Sequence, residues 1–101
     1  MSAFDALGDR TRRTIFERLA AGPCSVGEIA RGLPVSRPAV SQHLQVLKSA
    51  RLVTDRAEGN RRVYQIDPAG VSELRAYLEH FWERSLASFR AAAERTYDDG
   101  R

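Results

Sequence analysis

The stretch of residues 36–50 constrains the fold more than any other, because its two faces differ sharply in chemistry. Ser36 is suited to cap a helix, and the proline two residues later is tolerated in a first helical turn. Apolar residues then recur at helical spacing on one side. These residues are Val40, Leu44 and Leu47. The stretch therefore predicts a helix with one narrow buried face.

The opposite face of this helix has hydrogen-bonding side chains between two cations, unlike the Glu and Lys mixture of an ordinary solvated helix. Its members are Arg37, Ser41, Gln42, Gln45 and Lys48. Glutamine can pair with adenine, arginine with guanine, and serine with several base edges or phosphates. We therefore expect this face, with Ser36 beside it, to contact DNA. For His43, a phosphate contact and satisfied packing remain alternatives. For the whole helix, the alternative is a surface that is merely rich in Ser and Gln.

A short capped helix is expected just before this one. Ser25 and Glu28 have the spacing of a capping box. The helix that they open should end near Gly32, and residues 32–35 then form a tight connection. Two short helices joined in this way, the second with a polar face, are typical of a helix-turn-helix.

Two further helices are expected earlier in the chain, over residues 2–7 and about residues 9–21, with Ser2 and Asp9 as their caps. Arg12 lies in the first turn of the second helix, where the helix dipole disfavours a positive charge. A DNA phosphate is one candidate partner for Arg12, and plain exposure to solvent is the other.

A β-hairpin is expected directly after the helix-turn-helix. Residues 52–57 and 61–66 are short strand candidates around a loop that contains glycine. A hairpin in this place is a wing, and basic wings commonly lie along phosphates or in the minor groove. The cations of this wing are Arg56, Arg61 and Arg62. The alternative is a hairpin end whose charges only favour solubility.

The positive charge is concentrated in the part of the chain that holds these elements. Residues 1–66 have 11 Lys and Arg against 6 Asp and Glu, a balance of +5, whereas residues 67–101 have 5 against 7, a balance of −2. This distribution is expected of a region that binds a polyanion. We find no apolar run of membrane-spanning length and no signal peptide, and we expect a cytoplasmic protein. The single cysteine, Cys24, cannot form an intramolecular disulfide.

The last helix is expected to open at Asp67 and Pro68 and to reach about residue 95, before a polar tail over 97–101. Its apolar stripe is too long for a small domain to cover, and a second copy in a two-fold dimer is the most economical partner. We predict a single domain over 1–96 that dimerises through residues 1–8 and 68–96. The interface residues would be Phe4, Leu7, Leu74, Leu78, Phe81, Trp82, Leu86 and Phe89.

Four stretches together resemble the ArsR/SmtB family of winged-helix bacterial repressors, and the resemblance covers nearly the whole chain. They are FDALGDRTRR from residue 4, SVGEIA from residue 25, SRPAVSQHL from residue 36 and GNRRVY from residue 59. The pattern of elements and the resemblance imply a mainly α fold with a small β-hairpin. This fold is a winged helix-turn-helix with a long C-terminal dimerisation helix. The resemblance also implies a homodimer that binds an inverted-repeat operator in double-stranded DNA, with repression relieved by an inducer of unknown identity.

The chain departs from the metal-sensing members of that family. Those members often have a Cys-Val-Cys run where residues 25–27 here read Ser-Val-Gly, and residues 67–69 lack the histidine of an Asp-x-His motif. His80 and Glu83 remain as a pair, which does not complete a tetrahedral site unless a dimer shares it. We therefore expect no metal and no cofactor. The alternative is a thiol- or metal-responsive repressor that uses Cys24, or His80 and Glu83.

Catalysis is not expected. We find no paired carboxylates, no Gly-rich phosphate loop and no Ser/His/Asp arrangement with supporting context. A competing class is a winged helix that contacts only proteins. The basic wing and the arginines at the helix starts argue against that class.

Overall fold

The computed structural model describes the backbone of residues 2–99 and the side chains of residues 2–96. The described residues form two compact units that divide the chain between residues 71 and 72. The elements, in chain order, are α1 (Ala3–Leu7), α2 (Arg10–Ala20), β1 (Cys24–Ser25), α3 (Val26–Arg31), α4 (Arg37–Ser49), β2 (Val53–Glu58), β3 (Arg61–Ile66) and α5 (Pro68–Asp99). The predicted winged helix-turn-helix fold is confirmed.

The first four helices begin at the residues that the sequence indicates as caps. In each case a side-chain oxygen accepts a hydrogen bond from the backbone N–H three residues further on. The capping residues are Ser2, Asp9, Ser25 and Ser36. The capping box of Ser25 and Glu28 is complete, because the Glu28 carboxylate accepts in turn from the Ser25 backbone N–H at 3.2 Å.

The wing belongs to a three-stranded antiparallel sheet with strand order β1-β3-β2. Gly59 has a φ of 64° in the connection between β2 and β3, a left-handed conformation that suits glycine in a tight hairpin turn. Strand β1 was not predicted, because two residues are too short to show an alternating pattern. Its residues Cys24 and Ser25 pair with Tyr64 and Val63 of β3, which ties the wing to the start of α3.

The core of the first unit is formed by side chains of the first four helices and of the sheet. The predicted apolar stripe of α4 is completely buried. It packs in a core that also contains Ile15, Leu19, Ile29, Leu52 and Val53. Because this face of α4 is buried, the opposite face is turned away from the core.

The start of α5 is held close to the end of α4. Arg51 follows α4 with a left-handed φ of 62°, and the backbone N–H of Asp67 donates to the carbonyl of Leu52 at 2.9 Å. A β-carbon at Gly70 would overlap the carbonyl oxygen of Arg51. Glycine is therefore required at position 70 by a close backbone approach.

Helix α5 is longer than the sequence reading indicated. It is capped by Asp67, whose carboxylate accepts from the backbone N–H of Ala69 at 3.0 Å, and it runs to Asp99. Residues 97–99, which we assigned to a polar tail, are helical, and residues 100–101 lie outside the described residues. The difference has a simple cause: after Gly70 the next glycine or proline is at position 100, so nothing earlier interrupts the helix.

Candidate nucleic-acid interface

The N-terminal half of the exposed face of α4 presents side chains that the fold does not use. Arg37 and Gln42 are exposed, and Ser41 is half-buried. Within residues 2–96, none of the three makes a side-chain hydrogen bond or ion pair. The hydroxyl of Ser36, by contrast, accepts from the backbone N–H of Ala39 at 3.3 Å. Three polar side chains are thus available to an external partner.

The C-terminal half of the same face is fastened to the sheet. The amide of Gln45 donates to the hydroxyl of Tyr64 at 3.4 Å, and the ammonium of Lys48 lies 2.9 Å from a carboxylate oxygen of Asp55. Gln45 and Lys48 therefore differ from the three polar residues of the N-terminal half of α4, which have no side-chain partner within residues 2–96. Both are exposed, but each already has a partner within the protein.

Asp55 of β2 connects α4 to the neighbouring strand β3 of the wing. Its side chain is only 9% exposed, and its second oxygen lies 3.1 Å from the guanidinium of Arg62. The hydrogen bond from Lys48, and then that from Arg62, lowers the pKa of Asp55 against the opposing effect of desolvation. The carboxylate is therefore ionised at neutral pH and holds two of the predicted DNA-binding cations.

The other wing cations are also paired. Arg61 lies 3.0 Å from Glu28 of α3 and 3.7 Å from Glu58. Arg56 donates to Gln65 at 2.6 Å and lies 3.3 Å from Glu58. The wing tip is thus a network in which arginines alternate with carboxylates, and its arginines remain exposed.

The carboxylate at the α3 end of this network is held ionised by the capping box. The backbone N–H of Ser25, followed by its hydroxyl, lowers the pKa of Glu28, and the charge of Arg61 adds to the effect. Glu28 therefore serves both as a helix cap and as an anchor for the wing.

Arg12 and His43 are placed differently from the other candidate residues. The Nε of half-buried Arg12 donates to the carbonyl of Ala6 at 2.7 Å, which links α1 to α2. His43 is half-buried near Asp9, whose pKa is lowered chiefly by the backbone N–H of Arg12 and to a smaller extent by His43. The structure thus gives Arg12 an internal partner that the sequence did not indicate.

A groove of about 770 Å³ lies between the first turns of α3 and α4 and the tip of the wing. Its apolar lining residues, which we call its floor, are Val26, Ala30 and Val35, and its cations are Arg31, Arg37, Arg61 and Arg62. Gly27 permits the guanidinium of Arg37 to lie against α3, because a β-carbon there would come within 3.0 Å of the Arg37 Nη2. The groove therefore combines an apolar floor with a concentration of positive charge.

Comparison with known proteins identifies this arrangement. A helix-turn-helix domain model matches residues 7–56. The chain is 60% identical to the HTH-type transcriptional regulator Rv2034 of Mycobacterium tuberculosis, over 96% of this chain and 91% of that protein. It is 35% identical to the transcriptional repressor SdpR of Bacillus subtilis, over 79% of this chain and 89% of that protein.

A solved structure of similar fold leads to the same class of protein. It is the homodimeric winged helix-turn-helix DNA-binding domain Mb0332 from Mycobacterium bovis, described as a possible ArsR-family transcriptional regulator. The TM-score is 0.64 at 34% identity, over 81% of this chain and 76% of that one. The chain belongs to the ArsR family of transcriptional regulators. The resemblance inferred from the four sequence stretches is confirmed.

Within the part of the chain that the structure describes, the ArsR-family protein does not bring together the donors that a metal centre requires. Within the described residues, no group of three or more His, Cys, Asp and Glu side chains could hold a metal ion. Cys24 is buried, and its thiol contacts the carbonyl of Gly22 at 3.5 Å. His80 and Glu83 are exposed on α5. These residues do not fit a tetrahedral centre within one chain.

In the second unit, α5 of this ArsR-family chain exposes large apolar side chains at helical spacing. Trp82 is 66% exposed and Phe89 is 72% exposed. Leu78 and Phe81 are also exposed, and Leu74 and Leu86 are half-buried. In the first unit, Phe4 of α1 is exposed and Leu7 is half-buried. Among the described helices, none has the length and apolar content needed to cross a membrane.

Sequence reasoning missed the carboxylates of the interface and one of its arginines. Asp55 stands two residues after buried Val53, so strand alternation places its carboxylate on the inward side of β2, which is an available signal. Arg31 follows Gly27 by four residues and therefore shares its face of α3. The partnership of Glu28 with Arg61, 33 residues away, had no local signal.

Proposed function

We propose that this chain is a homodimeric transcriptional repressor that binds double-stranded DNA at an inverted repeat, with α4 in the major groove. The observation that carries the proposal is the exposed face of α4. Arg37, Ser41 and Gln42 have no partner within residues 2–96, and they lie opposite a completely buried stripe. An arginine and a glutamine in the first half of such a helix can each make bidentate contacts to a base edge.

The wing would anchor the complex rather than read its sequence. Arg56, Arg61 and Arg62 are exposed at its end, where a winged helix meets phosphates or the minor groove. Their pairing with carboxylates favours this role, because a paired guanidinium keeps a defined position and retains N–H groups for a phosphate oxygen.

The remaining candidates would support the complex in smaller ways. Ser36 caps α4 and so sets the direction of its first turn, next to Arg37. Gln45 and Lys48 would contact the sugar-phosphate backbone of the DNA at the C-terminal end of α4. Their positions are fixed by Tyr64 and Asp55, respectively. For His43 and Arg12 we retain a phosphate contact as the proposed role.

The dimer would be formed chiefly by the apolar face of α5. Side chains as large as Trp82 and Phe89 are costly to leave in water, and a second copy of the same helix can cover them symmetrically. The homodimeric state of the Mycobacterium bovis domain supports this assignment. The family consists of transcriptional regulators, and we propose no catalytic activity.

The test is the selection of genomic DNA fragments that the purified protein retains, followed by binding to a selected fragment and to a scrambled duplex across a salt series. We expect an inverted repeat, a higher affinity for the selected fragment and a steep salt dependence for both duplexes. A protein that retains no duplex at low salt would contradict the proposal and favour a winged helix used for protein contacts.

A further inference from the structure

The groove lies between α3 and the two elements that the proposed function brings to DNA, α4 and the wing tip. Its cations come from all three: Arg31 from α3, Arg37 from α4, and Arg61 and Arg62 from β3. Its floor is apolar, with Val26 and other small side chains. A binding site for a free metal or a simple cation would not have this composition. An anionic ligand with an apolar part would match it.

The geometry of a winged helix on DNA identifies such a ligand. If α4 enters the major groove and the wing lies at the adjacent minor groove, the ridge between the two grooves must pass between α4 and the wing. That ridge is a sugar-phosphate strand, which alternates an anionic phosphate with a largely apolar deoxyribose ring. The groove lies in this position, and its floor and its cations offer partners to both parts of the strand.

We propose that this groove binds one sugar-phosphate strand of the DNA, with Arg31 as a phosphate ligand beside Arg37. The inference rests on the proposed function and adds to it a residue outside α4 and the wing. Arg31 is exposed, and its Nε donates to the carbonyl of Gly27 at 3.3 Å, which orients the guanidinium and leaves its terminal nitrogens free to donate. Within residues 2–96, neither Arg31 nor Arg37 forms an ion pair, in contrast to Arg61 and Arg62.

Whether an arginine is paired with a carboxylate determines how much its phosphate contact should contribute to DNA binding. A phosphate that approaches Arg61 or Arg62 must share the guanidinium with Glu28 or Asp55. A phosphate that approaches Arg31 or Arg37 meets no carboxylate of residues 2–96 within ion-pair distance of that side chain, and only Arg31 interacts at longer range with a carboxylate, that of Glu28. The unpaired arginines should therefore contribute more to counterion release.

The test compares Arg31→Gln with Arg18→Gln on a scrambled duplex of about 30 base pairs and on a selected operator fragment. Arg18 is an exposed arginine of α2 outside the groove, so its variant removes the same charge elsewhere. We expect Arg31→Gln to weaken binding to both duplexes by roughly three- to tenfold. It should also reduce the slope of log K against log salt by about 0.9 per protomer. Arg18→Gln should leave the slope unchanged, and thermal melting should show that both variants fold.

A second measurement locates the contact. Operator duplexes that each carry one neutral methylphosphonate linkage should locate the phosphate that Arg31 contacts. At that position the neutral linkage should lower the affinity of the wild-type protein, whereas it should not further lower the affinity of Arg31→Gln. If Arg31→Gln and Arg18→Gln have the same affinity and the same salt slope on every duplex, the groove proposal is wrong and the proposed function stands. If the wild-type protein binds no duplex, both are wrong. If inorganic phosphate at constant ionic strength releases the wild-type protein at low millimolar concentration but not Arg31→Gln, the groove takes a free phosphate ligand instead.

Discussion

The carboxylate of Asp55 lies 2.9 Å from the ammonium of Lys48, so an ion pair joins α4 to the wing. The same carboxylate lies 3.1 Å from Arg62 of the opposite strand. One largely buried anion therefore holds a cation from each of the two elements that we propose to meet DNA. We infer that Asp55 is a positioning residue, which fixes the distance between these cations and limits their attraction to any phosphate.

Replacing Asp55 with asparagine should make DNA binding less selective. The variant frees Lys48 and Arg62 and removes a negative charge near the phosphates. Binding to a scrambled duplex should strengthen, and the salt slope should steepen by up to about 0.9 for each freed cation. Operator binding should change less, so that the ratio of the two affinities falls. Titrations of both duplexes across a salt series would measure this ratio.

The matched control is Glu79→Gln, which removes the same charge from an exposed ion pair with Arg75 on α5. If both variants strengthen scrambled-duplex binding equally, the effect belongs to net charge and Asp55 has no positioning role.

The free energy of unfolding should depend on pH through the carboxylates that the fold holds ionised. Hydrogen bonds lower the folded-state pKa of Asp9, Glu28 and Asp55 below their usual values of 3.8 for Asp and 4.5 for Glu. A lowered folded pKa means that the unfolded chain binds more protons in this range, so stability rises with pH there. Their contribution is fully present above the usual values and is lost as the pH falls below them.

Urea denaturation between pH 3 and pH 7 would measure this dependence. We expect a plateau above about pH 5 and a decline below about pH 4.5. Asp55→Asn should show a shallower decline than the wild-type protein, because one of the responsible carboxyls is absent. An equally steep decline in the variant would show that Asp55 does not titrate in the way the contacts with Lys48 and Arg62 indicate.

The helices and the wing of this protein are predictable because their signals are local. Ser25 and Glu28 specify a helix start within four residues, and the stripe of α4 specifies its buried face within three turns. The polar composition of residues 97–101 predicts an end of α5 near residue 95, whereas the helix runs to Asp99. The polar residues 97–99 do not end α5, and the next glycine or proline after Gly70 is at position 100.

The contacts that organise the interface were not predictable in the same way. Arg61 and Glu28 are distant in sequence, and the pairing of β1 with β3 brings their elements together. The sequence identified the wing cations but not their carboxylate partners. The structure divides the predicted cations into paired arginines, such as Arg61 and Arg62, and one that is unpaired within residues 2–96, Arg37.

Gly70→Ala should destabilise the first unit through steric overlap. A β-carbon at this position would meet the carbonyl oxygen of Arg51, which is backbone and can yield only if the start of α5 shifts. We expect a loss of about 1–3 kcal/mol in the free energy of unfolding. Gly32→Ala is the control, because its β-carbon would lie an ordinary 3.8 Å from the Ile29 carbonyl. Its effect should stay within about 0.5 kcal/mol. Equal stabilities by chemical denaturation would contradict the required close approach.

Charge on the apolar face of α5 should separate the proposed dimer. Phe81→Glu places a carboxylate on the stripe that includes Trp82 and Phe89, where a dimer would bury it without a partner. We expect sedimentation to show monomers or aggregates, and operator binding should be lost. Ala87→Glu adds the same charge on the opposite face of the helix and should remain a dimer. A wild-type chain that sediments as a stable monomer at micromolar concentration would rule out this interface.

The division between base reading and anchoring can be tested with one pair of variants. Gln42 is exposed and without a partner within residues 2–96, so Gln42→Ala should cost roughly 1–3 kcal/mol at the operator and relax the preference at one or two base positions. Arg62 is held by Asp55 at the wing, so Arg62→Ala should weaken operator and scrambled duplexes alike and reduce the salt slope by less than about 0.9, because Asp55 shares its charge.

The half-sites read by the two α4 helices of a two-fold dimer should lie about one helical turn, roughly 34 Å, or a multiple of it apart.

Binding of Gln42→Ala and Arg62→Ala to the operator, to operators with single-base substitutions and to the scrambled duplex across a salt series separates base reading from anchoring. Arg37→Ala should behave like Gln42→Ala at the operator, but it should also lower the salt slope, because Arg37 carries a charge and lines the groove. If Arg62→Ala affected only the operator while Gln42→Ala weakened both duplexes equally, the wing would be the reading element and α4 the anchor.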